Sequence, residues 1–539
     1  MPDPPIPIDP LHGAKAALAG RVVTMDAARR VLDDAVAYLE GGLIVDVRER
    51  SDPAPAGFEA VAVIETAGTI YPGLIELHNH LAYDALRLWA VPRRFTNRGT
   101  WGRLPEYGQL ITGPMRVLGT APGLLPAVVR YVEAKALAGG VTTSQGIELF
   151  SNAGGRRFYR GLVRNVEATD DPSLPEALTR IADVEAKSAA RFLARLNQGK
   201  RLLLHLAEGT DETARRHFLA LEVARGRWAI NENLIGIHCA ALTRADFEVM
   251  AAHGASMVWS PLSNLLLYGQ TAAVAEAKAA GVRIGLGSDW SPTGSKNLLG
   301  ELKVAALASA AAGGVFSETE LVAMATCGGA QILGWEAAVG SLEANKRADL
   351  MVIDGRRGDP YRELLSANEA DVRLVMVNGV ARLGMPRIMG RLRAKGERIT
   401  IGGEAREFHS DQASADPAVA QITLAEAMAR LTATLGSLGS ERLRAAAAPM
   451  AVFASDEPQW FLALDEVVPS GMEVRHRLSF AGEETGAPLA AMSTVAALPL
   501  VPLVLDPLTA VDDGEFLTTL ASQANLPEGL TEELADLYR

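Results

Sequence analysis

Between Ile70 and Gly334 the sequence alternates short apolar runs with longer Ala- and Leu-rich stretches. This alternation is typical of βαβα units, whose parallel strands are buried on both faces. We predict seven strands here: Ile70–Leu77, Val141–Gly146, Leu162–Thr169, Leu202–Leu206, Leu234–Ile237, Ser256–Trp259 and Val282–Gly287. Because a (β/α)8 barrel needs eight strands, the sequence predicts an α/β fold with a TIM-like barrel in which either a short irregular strand escapes the pattern or the barrel is distorted.

An eighth strand would fall between residues 170 and 200. This segment opens with Asp170-Asp-Pro-Ser173, in which Ser173 can cap a helix, and it continues with apolar residues at helical spacing. We therefore predict a single helix to about Asn197, with an irregular or absent fourth strand and a pocket open on that side. The excursion Leu81–Leu118 is expected to fill the opening.

Short strands broken by Gly, Asp and Pro lie on both sides of the barrel stretch, which favours one discontinuous β-sandwich. The predicted domains are residues 1–68 and 339–403 for the two halves of this sandwich, 69–338 for the barrel, and 418–539 for an appended α+β domain. In the last of these we predict a helix at about Leu424–Ala447, strands at Gln459–Leu464 and Val474–Phe480, and a helix near Glu515–Gln523, without a catalytic motif.

The charge and cysteine content exclude several classes. Among 539 residues, 64 acidic against 52 basic side chains give a net charge of -12, the wrong sign for binding a phosphate backbone. The two cysteines, Cys239 and Cys327, cannot form a disulfide framework or a four-thiolate zinc site. The longest apolar run, Thr494–Leu505, contains two prolines and is too short for a membrane span. We expect a cytoplasmic protein with no nucleic-acid or membrane partner.

Two histidines one residue apart, His78 and His80, follow the first predicted strand. In an extended chain, residues i and i+2 point the same way, so both imidazoles can face one metal ion. Taken alone, the pair is equally consistent with two solvated loop histidines.

Three further strands end in residues that can bind metal: His205, His238 and Asp289. Four of the nine histidines thus lie at carboxyl ends of strands, where barrel active sites are built. Three imidazoles and a carboxylate suit a zinc or iron ion that activates water as hydroxide. Glu208, three residues after His205, can move a proton from water to a leaving nitrogen, while His238 can steady the hydroxide or the oxyanion.

These motifs, taken together, resemble the amidohydrolase superfamily. Within it they resemble the branch of metal-dependent aminohydrolases and chlorohydrolases that includes S-adenosylhomocysteine, guanine and cytosine deaminases. The resemblance covers roughly residues 20–403. Its motifs occur in family order: Pro72-Gly-Leu-Ile-Glu-Leu-His78-Asn-His80, His205-Leu-Ala-Glu208, His238, Ser260-Pro-Leu-Ser-Asn264, Gly287-Ser-Asp289, Gly340-Ser-Leu-Glu343 and Lys346-Arg-Ala-Asp-Leu350.

The resemblance implies a set of roles for the strand-end residues. The metal ligands would be His78, His80, His205 and Asp289, and the catalytic residues Glu208, His238 and Asp289. It also implies one divalent ion, with zinc favoured and iron as the alternative. The dinuclear branches use a lysine carbamate at the end of the fourth strand, and no lysine in this sequence ends a predicted strand.

Substrate contacts are predicted in three loops beside these strand ends. Aromatic and guanidinium groups suit a planar heterocycle or a carboxylate, although the first loop could equally be an ordinary amphipathic loop with solvated arginines. The predicted contacts are Trp89, Arg93, Trp101, Ser263, Asn264 and Trp290.

The favoured function is hydrolytic deamination of a small heterocycle. The alternative is cleavage of a cyclic amide or amidine, as in imidazolonepropionase-like relatives, which use nearly the same ligands. A non-catalytic scaffold is disfavoured because the ligand set is complete. The C-terminal extension could add contacts in a homo-oligomer or form a lid.

Overall fold

The computed structural model describes residues 13, 15–102, 104–169, 171–180, 189–355, 358–412, 416, 422–440, 459–464 and 498–538. The predicted strand Val474–Phe480 lies outside this range. Among the described residues, no helix is both long and apolar enough to cross a membrane.

Strands from both ends of the predicted sandwich join into one nine-stranded sheet in the described chain. The two halves meet where Val63–Pro72 runs antiparallel to Leu350–Asp354, with Pro72 opposite Leu350. One hydrophobic cluster joins alternate residues of both halves, such as Leu18, Ala37, Val352 and Leu374, so they share a core. In spatial order the strands are Glu397–Ile401, Glu404–Phe408, Val380–Gly384, Val372–Val377, Leu350–Asp354, Val63–Pro72, Ala16–Val23, Val31–Glu40 and Leu43–Glu49.

The central part of the chain forms two parallel sheets, one of three and one of five strands over the described residues. The first contains Leu74–Ile75, Val141–Ser144 and Arg164–Asn165. The second contains Leu178–Arg180, Leu202–Leu206, Leu234–His238, Ser256–Trp259 and Arg283–Leu286. The predicted strand Ile70–Leu77 is therefore divided, since its first residues belong to the nine-stranded sheet.

Backbone hydrogen bonds link the two parallel sheets at both junctions. At one junction Ala177 N donates to Val166 O at 2.8 Å. At the other, Leu77 N donates to Leu286 O at 3.2 Å, and Asn79 forms a parallel bridge with Asp289. The carboxyl ends of the first and last strands therefore lie side by side.

The prediction of a single helix from Asp170 to Asn197 is wrong. Residues Leu178–Arg180 form a parallel strand opposite Leu202–Leu204, and the helix among the described residues of this segment is Ala189–Leu196. Ser173 caps no helix, because its N–H and hydroxyl both donate to Asp171 Oδ1 in a local turn. A three-residue strand is too short to show an alternating pattern, so the helical spacing of its neighbours concealed it.

Helices and short hairpins cover the sheets. Besides Ala189–Leu196 and the C-terminal helices given below, the helices that cover them are Gly113–Thr120, Leu125–Ala138, Glu212–Leu219, Arg244–Ala252, Pro261–Tyr268, Val274–Ala280, Leu298–Ala311, Glu318–Met324, Cys327–Leu333, Pro360–Ser366 and Pro386–Arg391. Short turns of helix at Leu81–Ala85, Arg98–Trp101, Pro105–Tyr107 and Gly108–Thr112 form the excursion after His80. Further short strands are Glu148–Ser151, Arg156–Phe158, Glu222–Ala224 and Arg227–Trp228.

The described parts of the C-terminal region pack directly on this body. The strand Trp460–Leu462 pairs antiparallel with Glu148–Ser151, and the helix Leu424–Leu435 lies against Leu125–Ala138. The helices Phe516–Ala521 and Leu530–Leu537 contribute Phe516, Leu520 and Leu534 to the same hydrophobic cluster as the parallel sheets. The boundaries given above for the four domains remain a prediction.

Candidate metal centre and active site

Four strand ends bring their polar residues to one point. His205 is the last residue but one of the strand Leu202–Leu206, and His238 is the last residue of the neighbouring parallel strand. His78 and Asp289 follow the two strands that meet at the other junction. His238 and Asp289 have backbone φ angles of 68° and 66°, in the left-handed region that non-glycine residues seldom adopt. Such strain is typical of functional positions, and here it occurs at two of the converging residues.

The distances between these side chains are those of a closed cluster. Asp289 Oδ1 lies 3.1 Å from His78 Nε2 and 3.4 Å from His80 Nε2. The ring centroid of His205 lies 4.7 Å from that of His78 and 5.2 Å from that of His238. Two overlapping groups, His78/His205/His238 and His78/His80/Asp289, each place their ligand atoms within 4.8 Å of one another.

Two amides fix the orientation of the imidazoles. Gln145 Oε1 accepts from Asn79 N at 3.1 Å, so this atom is the amide oxygen, and it also accepts from His78 Nδ1 at 3.0 Å. His238 Nδ1 donates in the same way to Asn264 Oδ1 at 3.0 Å. Both histidines therefore carry their proton on Nδ1 and turn an unprotonated Nε2 towards the cluster.

The electrostatics keep the imidazoles neutral and the carboxylate charged. Burial lowers the pKa of His78, lowers that of His205 well below its ordinary value, and lowers the pKa of His238 to about 4. Burial alone would raise the pKa of Asp289, but the facing imidazoles, His78 first, hold it below its usual range. Neutral imidazoles and an ionised carboxylate are the forms that bind a divalent cation.

The residues present fit a metal ion. His78 Nε2, His205 Nδ1 and His238 Nε2 are buried nitrogens without a hydrogen-bond partner among the described residues. Buried polar atoms normally have a partner, so several together at one cluster indicate that something else satisfies them. Ser263 Oγ donates to Asp289 Oδ2 at 2.6 Å, which orients the carboxylate.

Glu208 lies next to this cluster and is held by separate contacts with Tyr268, Arg98 and His238. Tyr268 OH donates to Glu208 Oε1 at 2.8 Å, and Trp101 Nε1 donates to Tyr268 OH at 3.0 Å. The other carboxylate oxygen, Oε2, lies 3.7 Å from Arg98 Nε and 3.9 Å from His238 Nε2. Burial raises the pKa of Tyr268 well above its ordinary value, so its hydroxyl stays a donor.

A narrow, partly open cavity lies beside these groups. Gly209 allows the excursion to approach, because a Cβ there would lie 2.4 Å from Thr96 O, and Thr210 N donates to that oxygen at 2.7 Å. The cavity is lined by His80, Tyr83, Arg98, Trp101, His205, Glu208, Asp289 and Trp290.

The six residues predicted to contact substrate lie in different places. Trp101 and Trp290 line the cavity. Trp89 is buried against Phe95, and Arg93 is exposed with its guanidinium 5.4 Å from the same Phe95 ring, so neither is among the lining residues. Ser263 and Asn264 hold Asp289 and His238 instead.

Four residues around the site were missed by the sequence analysis: Tyr83, Arg98, Gln145 and Tyr268. Arg98 lies in the excursion already singled out, five residues beyond Arg93. Tyr268 is one turn beyond Asn264 on the helix Pro261–Tyr268, so the helix that presents Asn264 also presents Tyr268. Tyr83 and Gln145 carried no pattern that separates them from neighbouring polar or aromatic residues.

Carboxyl ends of parallel strands that bring together four histidines, an aspartate and a glutamate form an arrangement typical of metal-dependent hydrolases with α/β folds. Residues 172–382 match the amidohydrolase family model. The chain therefore contains an amidohydrolase family domain.

Individual relatives agree with this family. A 5-methylthioadenosine/S-adenosylhomocysteine deaminase of Symbiobacterium thermophilum is 27% identical over 419 residues, which cover 67% of this chain and 91% of the relative. A zinc-bound adenosine deaminase of Xanthomonas campestris has a similar structure, with a TM-score of 0.53, 20% identity and coverage of 72% of this chain and 98% of that protein. The zinc complex of an atrazine chlorohydrolase from Arthrobacter aurescens has a TM-score of 0.50 and 22% identity. The match covers 70% of this chain and 99% of that protein.

Proposed function

We propose that the chain is a metal-dependent hydrolase that replaces an exocyclic amine of a small heterocycle by hydroxyl and releases ammonia. One observation carries the proposal: Glu208 lies beside a buried cluster of imidazoles and a carboxylate that includes His238, at the floor of an aromatic cavity. The amidohydrolase domain and the relatives named as deaminases support hydrolysis of a carbon–nitrogen bond other than a peptide bond.

We infer that the parallel strands form a (β/α)8 barrel. The three-stranded and five-stranded sheets follow chain order, and backbone hydrogen bonds connect them at both junctions. The short third and fourth strands, Arg164–Asn165 and Leu178–Arg180, are where this barrel is irregular. Solved structures with which the chain shares its fold support the inference.

His78, His80, His205 and Asp289 would hold one divalent ion. An imidazole-rich set with one carboxylate favours zinc, with iron as the alternative. When bound, such an ion supplies Lewis-acid chemistry and lowers the pKa of water towards neutrality.

The residues of the chain itself would manage the protons. Glu208 accepts a proton from the attacking water and returns it to the amine nitrogen, so that ammonia leaves as a neutral molecule. Tyr268 donates to Oε1 of this carboxylate, and Oε2 lies on the side of His238, where it would exchange the proton. The unprotonated Nε2 of His238 can accept a hydrogen bond from the attacking water and so orient it.

The walls of the cavity favour a planar substrate. The ring of Trp290 lies 5.3 Å from that of His80 and 6.3 Å from that of Trp101, so aromatic faces enclose the space above the cluster. Arg98 adds a guanidinium that can bind a ring nitrogen or a carbonyl oxygen.

The test combines elemental analysis with an ammonia-release assay. Purified protein should contain about one divalent ion per chain, and it should release ammonia from at least one amine in a panel of purines, pyrimidines and triazines. Glu208→Gln serves as the control for contaminating deaminases. Two ions per chain would contradict the single-ion site, and ring opening without ammonia would favour cyclic amide hydrolysis instead.

A further inference from the structure

The described C-terminal segment, residues 498–538, touches the two loops that enclose the cavity. One loop follows His80 and carries Tyr83, and the other follows Asp289 and carries Trp290. The proposed chemistry uses no residue of this segment, yet the segment places charged side chains deep in the molecule.

Asp506 is the central contact. Its carboxylate is completely buried and lies between two lysines that are themselves at most 3% exposed. Lys135 pairs with Asp506 Oδ2, and Lys296 Nζ lies 2.5 Å from Asp506 Oδ1 and 2.7 Å from Asp513 Oδ2. Two buried cations thus meet two carboxylates supplied from the C-terminal segment.

Each lysine connects Asp506 to a cavity loop. Lys135 Nζ also donates to Asp84 O at 2.9 Å and to Ser291 Oγ at 2.7 Å, so it joins one residue from each loop. Lys296 is itself part of the loop after Asp289. The backbone of Asp506 adds a third link, because its N–H donates to Ala85 O at 3.1 Å.

The rest of the segment reinforces the first loop. Gln523 Nε2 donates to Trp89 O at 3.2 Å, and Gln523 Oε1 accepts from Val91 N at 3.0 Å. Trp89 also binds the second loop, since its N–H donates to Pro292 O at 2.8 Å. The two loops and the segment therefore form one connected network.

Electrostatics make this network sensitive to Asp506. Burial lowers the pKa of Lys135, and Asp506 opposes that effect. Removing one partner of a buried pair leaves an uncompensated charge, which is strongly destabilising at that place. The loops would have to shift to bring the lysines to water.

We propose that Asp506 is a positioning residue of the active site, which holds the loops after His80 and Asp289 in the arrangement that places Tyr83, Trp290 and Asp289 around the cavity. The inference rests on the proposed function only for its kinetic consequence. The loop geometry itself can be tested on the full chain without substrate.

The experiment compares Asp506→Asn with the matched control Asp416→Asn. Asp416 is also a buried aspartate from the C-terminal region, paired with Arg157, which lies on the strand Arg156–Phe158. In Asp506→Asn, hydrogen exchange should rise about tenfold or more in peptides covering 81–95 and 289–297 and stay unchanged in Ala16–Val23. Zinc affinity, measured by chelator competition, should fall in the same variant. In the control Asp416→Asn, hydrogen exchange in both loops and zinc affinity should stay near wild type.

A milder variant separates local positioning from general destabilisation. Asp513→Asn removes a carboxylate that pairs with Lys296, so exchange should rise in 289–297 and not in 81–95. On an identified substrate, kcat/KM of Asp506→Asn should fall roughly 10- to 100-fold, the cost of a small misplacement in an active site.

Unchanged exchange in both loops would overturn the proposal, as would a uniform rise that Asp416→Asn reproduces. If Asp506→Asn does not fold, Asp513→Asn decides: a rise confined to 289–297 supports the proposal, and unchanged exchange in 289–297 overturns it. If the chain proves not to be a deaminase, the exchange and zinc measurements still give the answer, so the two failures remain distinguishable.

Discussion

The two sides of the cavity are built in different ways. On the metal side, His205 and His238 lie within regular parallel strands, and side-chain amides or hydroxyls fix His78, His238 and Asp289 in place. On the opposite side, Tyr83, Arg98 and Trp101 lie on a long irregular excursion that the C-terminal segment supports from outside.

This difference in construction suggests that the metal side carries the chemistry and the loop side determines which substrate binds. Residues on rigid strand ends can keep a metal geometry constant, whereas residues on loops can change without disturbing it. More than a quarter of the chain is not covered by the adenosine deaminase structure, which is itself covered almost completely. We therefore expect changes on the metal side to abolish the reaction and changes on the loop side to alter binding.

The largest effect is expected at the metal cluster itself. His205→Ala should remove a ligand and most of the bound ion, and activity should fall to background because the Lewis acid is lost. Elemental analysis after gel filtration measures the loss. His253→Ala is the matched control, since His253 contacts only a local carbonyl, Val249 O, in the hydrogen bonds described for its ring. Full metal content in His205→Ala would remove His205 from the ligand set.

Glu208→Gln should separate metal binding from turnover. The amide has nearly the shape of the carboxylate but cannot accept and return a proton, so the rate should fall by about 10²–10⁴-fold while metal content stays at the wild-type level. Glu212→Gln, four residues later and exposed at the start of the helix Glu212–Leu219, should leave both quantities unchanged. Wild-type turnover in Glu208→Gln would mean that another group moves the proton.

The metal side could be predicted from the sequence because each of its residues ends or follows an apolar strand. His78, His205, His238 and Asp289 needed only the rule that the carboxyl ends of parallel strands face the same side. Their roles as ligands stay a prediction until metal is measured. The left-handed backbone at His238 and Asp289 could not be predicted, since neither residue is a glycine.

The loop side resisted prediction for physical reasons. Arg93 and Arg98 look alike in sequence, and only the pairing of the excursion with the turn after Glu208 brings Arg98 to the cavity. The strand Leu178–Arg180 was not predicted for a related reason. Its only regular partner in the described chain is Leu202–Leu206, which lies more than twenty residues further along the sequence. Local spacing cannot reveal a partner that tertiary structure supplies.

Tyr268→Phe tests the boundary between the two sides. It removes the hydroxyl that donates to Glu208 Oε1, and a hydrogen bond to a charged group is worth about 1.5–3 kcal/mol, so kcat should fall roughly 10- to 100-fold. KM and metal content should change little, because the ring stays in place. Tyr71→Phe, which loses a buried hydroxyl donating to Pro360 O in the nine-stranded sheet, controls for stability alone. An equal loss in both variants would argue against a positioning role for Tyr268.

The smallest effect is expected at Arg98. This residue lines the cavity, whereas Arg93, the arginine predicted to contact substrate, does not. Arg98→Lys keeps a positive charge near Glu208 but loses the planar guanidinium that can bind two acceptors at once. Since one net hydrogen bond contributes about 0.5–1.5 kcal/mol, KM should rise roughly threefold to tenfold with kcat and metal content nearly constant. Arg93→Lys, on the same excursion but exposed, should leave KM unchanged. If Arg93→Lys raised KM and Arg98→Lys did not, the substrate would enter along the outer face of the excursion, and the cavity described here would not be its binding site.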